Sequence, residues 1–545
     1  MTNTKSYDFI IVGAGSAGCV LARRLSEDAN TRVLVIEAGG SDNNILIKMP
    51  AAAAIAARDE RFGWGYVGEP EPHLDGRSIS AARGRVLGGS SSINGMVANR
   101  GNPRDYDGWA AAGLDSWSYA HCLPYFKKME TFSGGASRWR GADGPQHIET
   151  CPADQALDQA FLAAGREAGY AFSEDQNGEF HEGFHVAQSF TRRGKRCSTA
   201  DAYLRPALAR PNLTLMSRAL VHRVVFSGQR AVGVEVEHAG RIERIEAERE
   251  VLLSGGAINS PQLLLLSGIG DPFHLNEHGI AVTAEVPAVG RHLEDHLIVP
   301  IQYATPPGVS PAHRFKGLGR FRIGLQWMLF KSGLGASTFC ETGCFFKSSN
   351  DVTYANLQHE FYPVVAQMGE SESNVAEGFM FSMGIMRPES RGRIALKSAD
   401  PRVHPSMLFN YLDTENDRRV MIDGLHRTRE MAAQRAFENL RGAEMSPGPE
   451  VQSDSEILAW LAAEGTTEFH PCSTCRMGVG DDSVTDGEGR VHGVDGLRVV
   501  DASIMPHNVT ANLNAPVIMI AEKLADAIIG GFPDPGSREN QQFKY

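Results

Sequence analysis

The chain has 545 residues, of which 42% are hydrophobic and 22% are charged, a balance typical of a globular protein with several domain-sized units. Its 53 basic and 65 acidic residues give a net charge of −12, and no Lys/Arg run could follow a phosphate backbone, which excludes nucleic acid as a partner. The chain enters an apolar strand almost at once and contains no run of about eighteen apolar residues, so we expect a cytoplasmic protein without an integral membrane segment. Peripheral contact with a membrane is left open.

The amino-terminal segment has the pattern of a dinucleotide-binding unit. Tyr7–Val12 is a short apolar run that predicts a buried parallel strand, and a glycine-rich turn and a helical spacing of apolar residues follow it. Arg32–Glu37 predicts the next strand, which ends in a carboxylate that can accept hydrogen bonds from ribose hydroxyls. Such a βαβ unit presents a helix N-terminus to a pyrophosphate, here through Gly13, Gly15, Ser16, Ala17 and Gly18. The motif alone does not separate FAD from NAD.

Three further segments carry long and specific motifs. Residues 84–94 read GRVLGGSSSIN, and residues 256–270 read GAINSPQLLLLSGIG after an apolar strand. Near the end of the chain, residues 499–506 read VVDASIMP and lead into NLNAPVIMI at 512–520. Together with the glycine-rich turn, these motifs resemble the glucose-methanol-choline (GMC) oxidoreductase family of flavoenzymes over nearly the whole chain.

Shorter stretches are weaker evidence for a branch within that family. Residues 68–72 (GEPEP), 210–214 (RPNLT) and 487–493 (GEGRVHG) look most like the bacterial choline dehydrogenase branch. The resemblance implies an α/β fold, with a Rossmann-type FAD-binding domain interleaved with an α+β substrate domain built on an antiparallel sheet. The ranges we predict are 1–155, 194–298 and 462–531 for the FAD-binding domain, 156–193 and 299–461 for the substrate domain, and 532–545 for a tail.

The resemblance also implies which residues contact FAD. Many relatives attach the flavin covalently through a histidine in the second motif, but the aligned position is Ile93 here, so we predict non-covalent FAD. The predicted FAD-binding residues beyond the glycine-rich turn are Glu37, Arg85, Gly88, Gly89, Ser91, Asn94, Gly95, Val221, Asp501, Ala502 and Asn512.

Alcohol oxidation requires a base, because the hydroxyl must lose its proton while the carbon delivers a hydride. Histidine has a pKa suited to this task near neutral pH. By the resemblance, His470 occupies the family's catalytic histidine position, and Asn512 occupies a second position that is His or Asn in relatives. We expect Asn512 to hold the developing alkoxide by hydrogen bonding. Asn514 is the alternative if the alignment slips by two residues, and we interpret His507 as a loop residue.

The eight cysteines predict buried thiols in a reducing compartment rather than a disulfide framework. Cys472 and Cys475 have CxxC spacing, and a zinc site with Cys340 and Cys344 is the alternative. The second pair is CxxxC in apolar surroundings and the first falls within the catalytic motif, so we predict no metal.

The substrate pocket is predicted from the aromatic residues and charges of the substrate domain. Phe339, Cys340, Phe361 and Tyr362 could line a pocket above the flavin, although most aromatic residues there will be core. Choline would require aromatic faces and a nearby carboxylate. As aligned, choline dehydrogenases commonly carry histidine where this chain has Glu360, which either binds a cation directly or is a solvated strand residue.

We therefore predict FAD-dependent oxidation of a primary alcohol, not necessarily choline, to an aldehyde, by hydride transfer to flavin N5 with His470 as base. The alternatives are choline dehydrogenase proper and a non-redox hydroxynitrile lyase on the same fold. A fatty-acid photodecarboxylase is disfavoured, because Glu360 falls near its arginine position and would repel a carboxylate. The electron acceptor, oxygen or a quinone or other carrier, is left open, as are the stereochemistry and the oligomeric state.

Overall fold

The computed structural model describes residues 6–366 and 375–530. The predicted tail at 532–545 therefore lies outside the described residues. Within them, no helix combines the length and the apolar character that crossing a bilayer requires.

A seven-stranded sheet forms the first half of the core. Its strands, from one edge to the other, are Leu213–Ser217, Val33–Glu37, Ser6–Val12, Arg241–Leu253, Arg230–His238 and Ala219–Ser227, with Leu497–Val499 also paired to Arg241–Leu253. The pairs around Ser6–Val12 are parallel, with Phe9 opposite Val33 and Val12 opposite Leu253. The last three strands before the far edge form an antiparallel meander. This is the buried parallel sheet that the apolar runs predict.

Two helices from opposite ends of the chain cover this sheet side by side. Ser16–Leu25 follows the first strand, and Asn514–Gly530 packs against it. Arg24 fixes the pair, because it donates hydrogen bonds to the carboxylates of Glu522 and Asp526, each at 2.5 Å. The carboxyl-terminal helix is buried along most of its length, so it belongs to the core rather than to the surface.

A second seven-stranded sheet, antiparallel throughout, forms the other half of the core. Its strands, in order, are Glu444–Ser446, Leu297–Tyr303, Phe379–Ile385, Leu357–Tyr362, Thr342–Phe346 and Gly183–Val186, with Thr466–Thr467 also paired to Leu297–Tyr303. Stacked phenylalanines fill the space between this sheet and its covering helices, for example Phe161 on Phe361 with ring centroids 4.6 Å apart.

The remaining elements connect or cover the two sheets. The α-helices of the described residues are Ser16–Leu25, Ile45–Lys48, Ala53–Arg58, Pro103–Ala111, Tyr119–Met129, Ala156–Glu167, Arg205–Ala207, Gly256–Leu266, Pro272–Glu277, Leu318–Phe330, Glu415–Ala432, Asp454–Glu464 and Asn514–Gly530. The smaller strands are Val67–Pro70, Ser78–Ser80, Glu130–Phe132, Gln146–Thr150, Gln188–Ser189, Thr191–Arg192, Lys195–Arg196, Ile269–Gly270, Ala284–Glu285, Val365–Ala366, Val375–Ala376, Arg393–Ala395 and Ser406–Leu408.

The predicted fold class is confirmed: a Rossmann-type sheet is interleaved along the chain with an antiparallel substrate-domain sheet. The exact domain ranges stay predictions. Leu297–Tyr303 crosses the predicted boundary at 298, and Thr466–Thr467, placed by the prediction in the FAD-binding domain, pairs with the second sheet. Where these two segments meet, Glu294 and Cys472 exchange backbone hydrogen bonds, which brings distant parts of the chain to one place.

Candidate active site

The glycine-rich turn closes tightly between the first strand and the first helix. Gly13 has φ +102°, and a Cβ there would lie 2.5 Å from the carbonyl oxygen of Ser254, so only glycine fits. A Cβ on Gly18 would lie 1.9 Å from the oxygen of Gly13, which explains how helix and strand approach so closely. Ala17 is buried at this contact. The helix begins after Gly15 without a side-chain cap, so its first N–H groups are available to a phosphate.

The second motif packs directly on this turn. Gly89 lies against Gly15, because a Cβ on Gly89 would be 2.7 Å from the Gly15 Cα. The backbone N–H of Gly88 donates to the carbonyl of Ala14 at 2.8 Å. Both glycines of the second motif have positive φ, +87° for Gly88 and +52° for Gly89. Two backbones thus meet without intervening side chains, which leaves the surface open to a long ligand.

Glu37 ends the second strand, and its carboxylate accepts two backbone hydrogen bonds beside the glycine-rich turn. Its Oε2 accepts from the N–H of Ala14 at 2.8 Å and its Oε1 from the N–H of Gly39 at 2.7 Å. Each carboxylate oxygen has a second lone pair, so a ribose hydroxyl can still be bound. Burial raises the pKa of Glu37, which these two backbone bonds and Arg85 counter.

Beyond Glu37 lies a cavity of about 210 Å³. It is lined by Ala38, Arg85, Arg218, Leu220, Glu237, Ala239, Gly240 and Arg402. Predicted Val221 is buried in the strand beside it, opposite Val236. The Arg85 guanidinium lies 4.9 Å from the ring centre of Trp64. The strand end, the cavity and the arginines suit the adenosine end of a dinucleotide.

The other predicted cofactor residues differ in their surroundings. Ser91 is buried and donates to the carbonyl of Gly88 at 2.6 Å, and Asn94 accepts from Arg196 at 2.7 Å, so both fix the loop. Gly95 is exposed with open space around it. Asp501 is saturated by protein donors, including the N–H of Gly256 at 2.8 Å. The half-buried Ala502 follows it.

Two distant parts of the chain meet at Ser16, whose hydroxyl donates to Asn514 Oδ1 at 2.7 Å. Asn514 therefore begins the carboxyl-terminal helix at the glycine-rich turn. Asn512, two residues earlier, faces a different site, which contains His470.

His470 and Asn512 face each other across the predicted catalytic site. Asn512 Nδ2 lies 3.4 Å from His470 Nε2. The same amide nitrogen donates to Glu360 Oε1 at 2.9 Å, while Asn512 Oδ1 accepts from Asn99 Nδ2 at 2.8 Å. These partners fix the amide so that its NH₂ group points toward the histidine. His470 Nε2 must then act as an acceptor, with its lone pair toward the site.

The opposite nitrogen of His470 faces a second histidine and a buried carboxyl group. His470 Nδ1 is 3.0 Å from His296 Nδ1 and 3.5 Å from Glu468 Oε2. Glu468 Oε2 also lies 3.7 Å from His296 Nδ1 and has no hydrogen-bond partner within the described part of the chain. Burial raises the pKa of Glu468 well above its usual range, and Asp295 raises it further. Ligand atoms of these three residues lie within 4.8 Å of one another, so the cluster has the composition of a metal site.

Asp295 holds the backbone of His470 in place. Its Oδ1 accepts from the His470 N–H at 2.7 Å, and its Oδ2 accepts from the hydroxyls of Thr467 and Tyr411. Burial lowers the pKa of His470 to about 4, although Asp295 and Glu360 act in the opposite direction. The imidazole is consequently neutral at pH 7 and able to accept a proton.

The predicted pocket residues Cys340, Glu360 and Tyr362 do come together beside Asn512. The Tyr362 hydroxyl donates to Glu360 Oε2 at 2.7 Å, and Cys340 is buried next to both groups. Burial raises the pKa of Glu360, and Glu468 raises it further. Phe361 does not join them, because side chains alternate along a strand and Phe361 points into the core onto Phe161. Glu360 is buried rather than solvated, so it is not the exposed strand residue of one interpretation.

Family models match most of the chain. Residues 7–298 match the amino-terminal model of the GMC oxidoreductases, described as "GMC oxidoreductase", and residues 388–521 match the carboxyl-terminal one. The chain belongs to the GMC oxidoreductase family. The predicted resemblance is thereby confirmed, and with it an FAD-dependent oxidoreductase that acts on CH–OH donors.

Relatives and solved structures agree with the assignment to the GMC family. An oxygen-dependent choline dehydrogenase of Chromohalobacter salexigens is 47% identical over 540 residues, which cover 98% of this chain and 97% of the relative. Its counterpart in Staphylococcus xylosus is also 47% identical over 540 residues, covering 97% and 96%. Pyridoxine 4-oxidase from Mesorbium loti has a TM-score of 0.87 at 30% identity and covers 95% of this chain and 98% of its own. Formate oxidase has a TM-score of 0.91 at 25% identity, covering 97% and 99%.

The surface described above fits FAD, the cofactor of the GMC family. The uncapped helix start at Gly15, the backbone contact at Gly89 and the carboxylate of Glu37 form one continuous path toward the arginine-lined cavity. Ile93 is buried among apolar side chains and carries no atom that could bond to a flavin. The eight cysteines are buried and unpaired, as predicted for thiols.

Sequence reasoning missed the groups that surround the catalytic pair. Asn99, His296 and Glu468 were not predicted, although each contacts His470 or Asn512. Strand alternation would not have found Glu468, because the strand ends at Thr467 and the intervening Phe469 has φ +65°. For His296 the sequence offers no local signal, since its partner is 174 residues away.

Proposed function

We propose that this protein oxidises a primary alcohol to an aldehyde, with His470 as the base and Asn512 as the hydrogen-bond donor to the alcohol oxygen. The observation that carries this proposal is the pair itself: an acceptor nitrogen and a fixed amide donor 3.4 Å apart in a buried site beside the cofactor surface. Bound FAD supplies the hydride acceptor. Removal of the hydroxyl proton and stabilisation of the developing negative charge depend on side chains of the protein.

His470 takes the hydroxyl proton at Nε2. The orientation of Asn512 requires Nε2 to be unprotonated, so the ring proton resides on Nδ1, which faces His296 and Glu468. Since the pKa of His470 is lowered to about 4 by burial, the free base is already present at neutral pH. His296 acts as a positioning residue, because its Nδ1 lies 3.0 Å from His470 Nδ1, where it can accept the Nδ1 proton and so keep this tautomer, whereas Glu468 Oε2 is 3.5 Å away.

Asn512 stabilises the negative charge that develops on the alcohol oxygen. Its amide cannot rotate freely, since Asn99 and Glu360 bind its two ends. The Tyr362 hydroxyl in turn holds Glu360. We assign Glu360 to the orientation of this amide rather than to a cation site, because both of its oxygens already accept hydrogen bonds from protein donors and burial raises its pKa.

FAD binding is assigned to the predicted residues along the path from Gly15 to the cavity. Non-covalent binding is supported by Ile93, which stands at the position where a histidine would attach the flavin. The predicted absence of a functional metal stays a prediction, although the cluster around Glu468 has the composition of a metal site.

Choline is the second candidate substrate, and a specific observation favours it. The relatives from Chromohalobacter salexigens and Staphylococcus xylosus, each 47% identical, are both named oxygen-dependent choline dehydrogenase. Against choline stands the raised pKa of Glu360, because a protonated carboxyl group beside Asn512 would not attract the cation of choline. The non-redox hydroxynitrile lyase is the third candidate. It would also use His470 as the base, but it would transfer no electrons to the flavin.

The electron acceptor and the location complete the proposal. Oxygen and a quinone are both compatible with a neutral, buried site, and the names of the relatives favour oxygen. A cytoplasmic location is supported by eight free, buried cysteines, since oxidising compartments favour disulfides.

The test is anaerobic mixing of the purified protein with choline, benzylic alcohols and aliphatic primary alcohols, while the visible absorbance of oxidised flavin is followed. We expect one class to bleach the band, and His470→Gln to slow bleaching by at least about 10²-fold. His507→Gln is the matched control, because His507 is exposed and binds Glu294 instead of the site. A protein that stays yellow with every alcohol contradicts the proposal, and choline turnover equal to the best alcohol supports the second candidate.

A further inference from the structure

One helix of the substrate domain exposes an apolar stripe. Apart from Phe330 at the end of the helix, which is 72% exposed, five large apolar side chains of Leu318–Phe330 are each between 43% and 75% exposed: Leu318, Phe321, Leu325, Met328 and Leu329. Their spacing places them on one face of the helix. The outer face of a surface helix is normally polar. An exposed apolar stripe at this place therefore indicates a surface that binds a partner.

The opposite face of the same helix is firmly attached to the protein. Ile323 and Trp327 are buried, and the Trp327 indole nitrogen donates to the carbonyl of Gly194 at 2.8 Å. A Cβ on Gly335 would lie 2.6 Å from the Trp327 Cβ, so the following turn packs tightly as well. The helix therefore cannot roll to hide the stripe without losing these contacts.

The Lys, Arg, Asp and Glu residues of this segment are all basic. Five basic side chains lie on the helix or next to its ends: Arg314, Lys316, Arg320, Arg322 and Lys331. Residues 311–340 contain no Asp or Glu, in a chain whose net charge is −12. None of the five basic side chains forms an ion pair within the part of the chain that the structure describes. We call the stripe and these five residues the basic-apolar face.

We propose that the basic-apolar face docks on an anionic membrane surface. The apolar stripe would enter the boundary between headgroups and acyl chains, and the basic side chains would pair with lipid phosphates. A second copy of the chain is a poorer occupant, because a two-fold contact would set the five positive charges against the same five. Nothing in this inference depends on the reaction proposed above.

The basic-apolar face lies close in the chain to the predicted substrate pocket. Phe315, just before the helix, packs on Phe339 with ring centroids 5.4 Å apart, and Phe339 precedes Cys340 of the pocket. Docking would hold the pocket close to the lipid phase. A lipid-soluble alcohol or quinone could then reach the site without crossing bulk water.

Flotation of the holoenzyme with vesicles tests the proposal. We expect the protein to float with vesicles of phosphatidylglycerol and phosphatidylcholine and not with phosphatidylcholine alone, and to be released by high salt. Phe321→Ser combined with Leu329→Ser should weaken the binding by at least about tenfold, because two of the five inserted apolar side chains are lost.

Phe273→Ser is the matched control, since Phe273 is 75% exposed on a short helix elsewhere. It should float like the parent protein, and the flavin spectrum and melting temperature of every variant show whether it is folded. Equal flotation of the double variant and the control overturns the proposal, as does an absence of flotation in the parent. A parent dimer that the double variant makes monomeric, with no vesicle binding, would assign the face to a second copy instead.

Discussion

Replacing Gly89 by alanine tests the contact between the two glycine motifs. A Cβ at this position would lie 2.7 Å from the Gly15 Cα, well inside the 3.4 Å at which ordinary contact begins. The Gly15 Cα is a backbone atom and the alanine Cβ is bonded directly to one, so neither can move aside as the end of a long side chain would. Gly89 also has φ +52°, a conformation that costs alanine about 1 kcal/mol.

We expect the free-energy penalty of Gly89→Ala to weaken cofactor binding. Overpacking of a tight contact costs about 1–3 kcal/mol, which with the backbone term gives about 2–4 kcal/mol in all. Because the displaced atoms belong to the surface that we assign to the pyrophosphate, we expect the Kd for FAD to rise by about 30-fold to 700-fold. Titration of apoprotein with FAD, followed by quenching of flavin fluorescence, measures this change.

Gly108→Ala is the control for this experiment. Gly108 lies within the helix Pro103–Ala111, and a Cβ there meets no atom within 4 Å. Alanine should stabilise that helix by about 0.8–1 kcal/mol and leave the Kd for FAD unchanged. If folded Gly89→Ala binds FAD as tightly as the control, the contact between Gly15 and Gly89 does not shape the cofactor site, and the reasoning fails.

Four further results are expected. The acid limb of kcat/KM should lie near pH 4 rather than 6.5, because burial keeps His470 neutral until about pH 4; a limb near 6.5 would show a solvated base. Asn512→Ala should lower kcat by about 10²-fold, whereas Asn514→Ala should act mainly on FAD binding, and the reverse pattern would place the donor two residues later. Acid or urea should release all flavin into a filtrate; flavin that stays with the chain would contradict non-covalent binding. Dialysis against EDTA should leave kcat unchanged, and a loss restored by zinc would identify the cluster at Glu468 as a metal site.

Sequence reasoning predicted the features that depend on local residue patterns and on family motifs. The strand ending at Val12, the tight turn at Gly13 and the helix after it follow from residues that are neighbours along the chain. The convergence of His470 and Asn512 came from the family motif, not from spacing. The contacts of His296 could not be predicted, since they depend on how two sheets join. Phe361 was placed in the pocket, and strand alternation puts it in the core instead.

The hydrogen bond between Ser16 and Asn514 joins residues 498 positions apart, so the surface assigned to the cofactor is completed by a segment that is synthesised long after the first βαβ unit. Until the helix Asn514–Gly530 has been synthesised, the side of Ser16–Leu25 that packs against it stays exposed. A contact of this sequence separation forms slowly and late. Loading of the flavin can therefore be complete only after Asn514 has been synthesised, and a chain that stops before this residue should remain colourless.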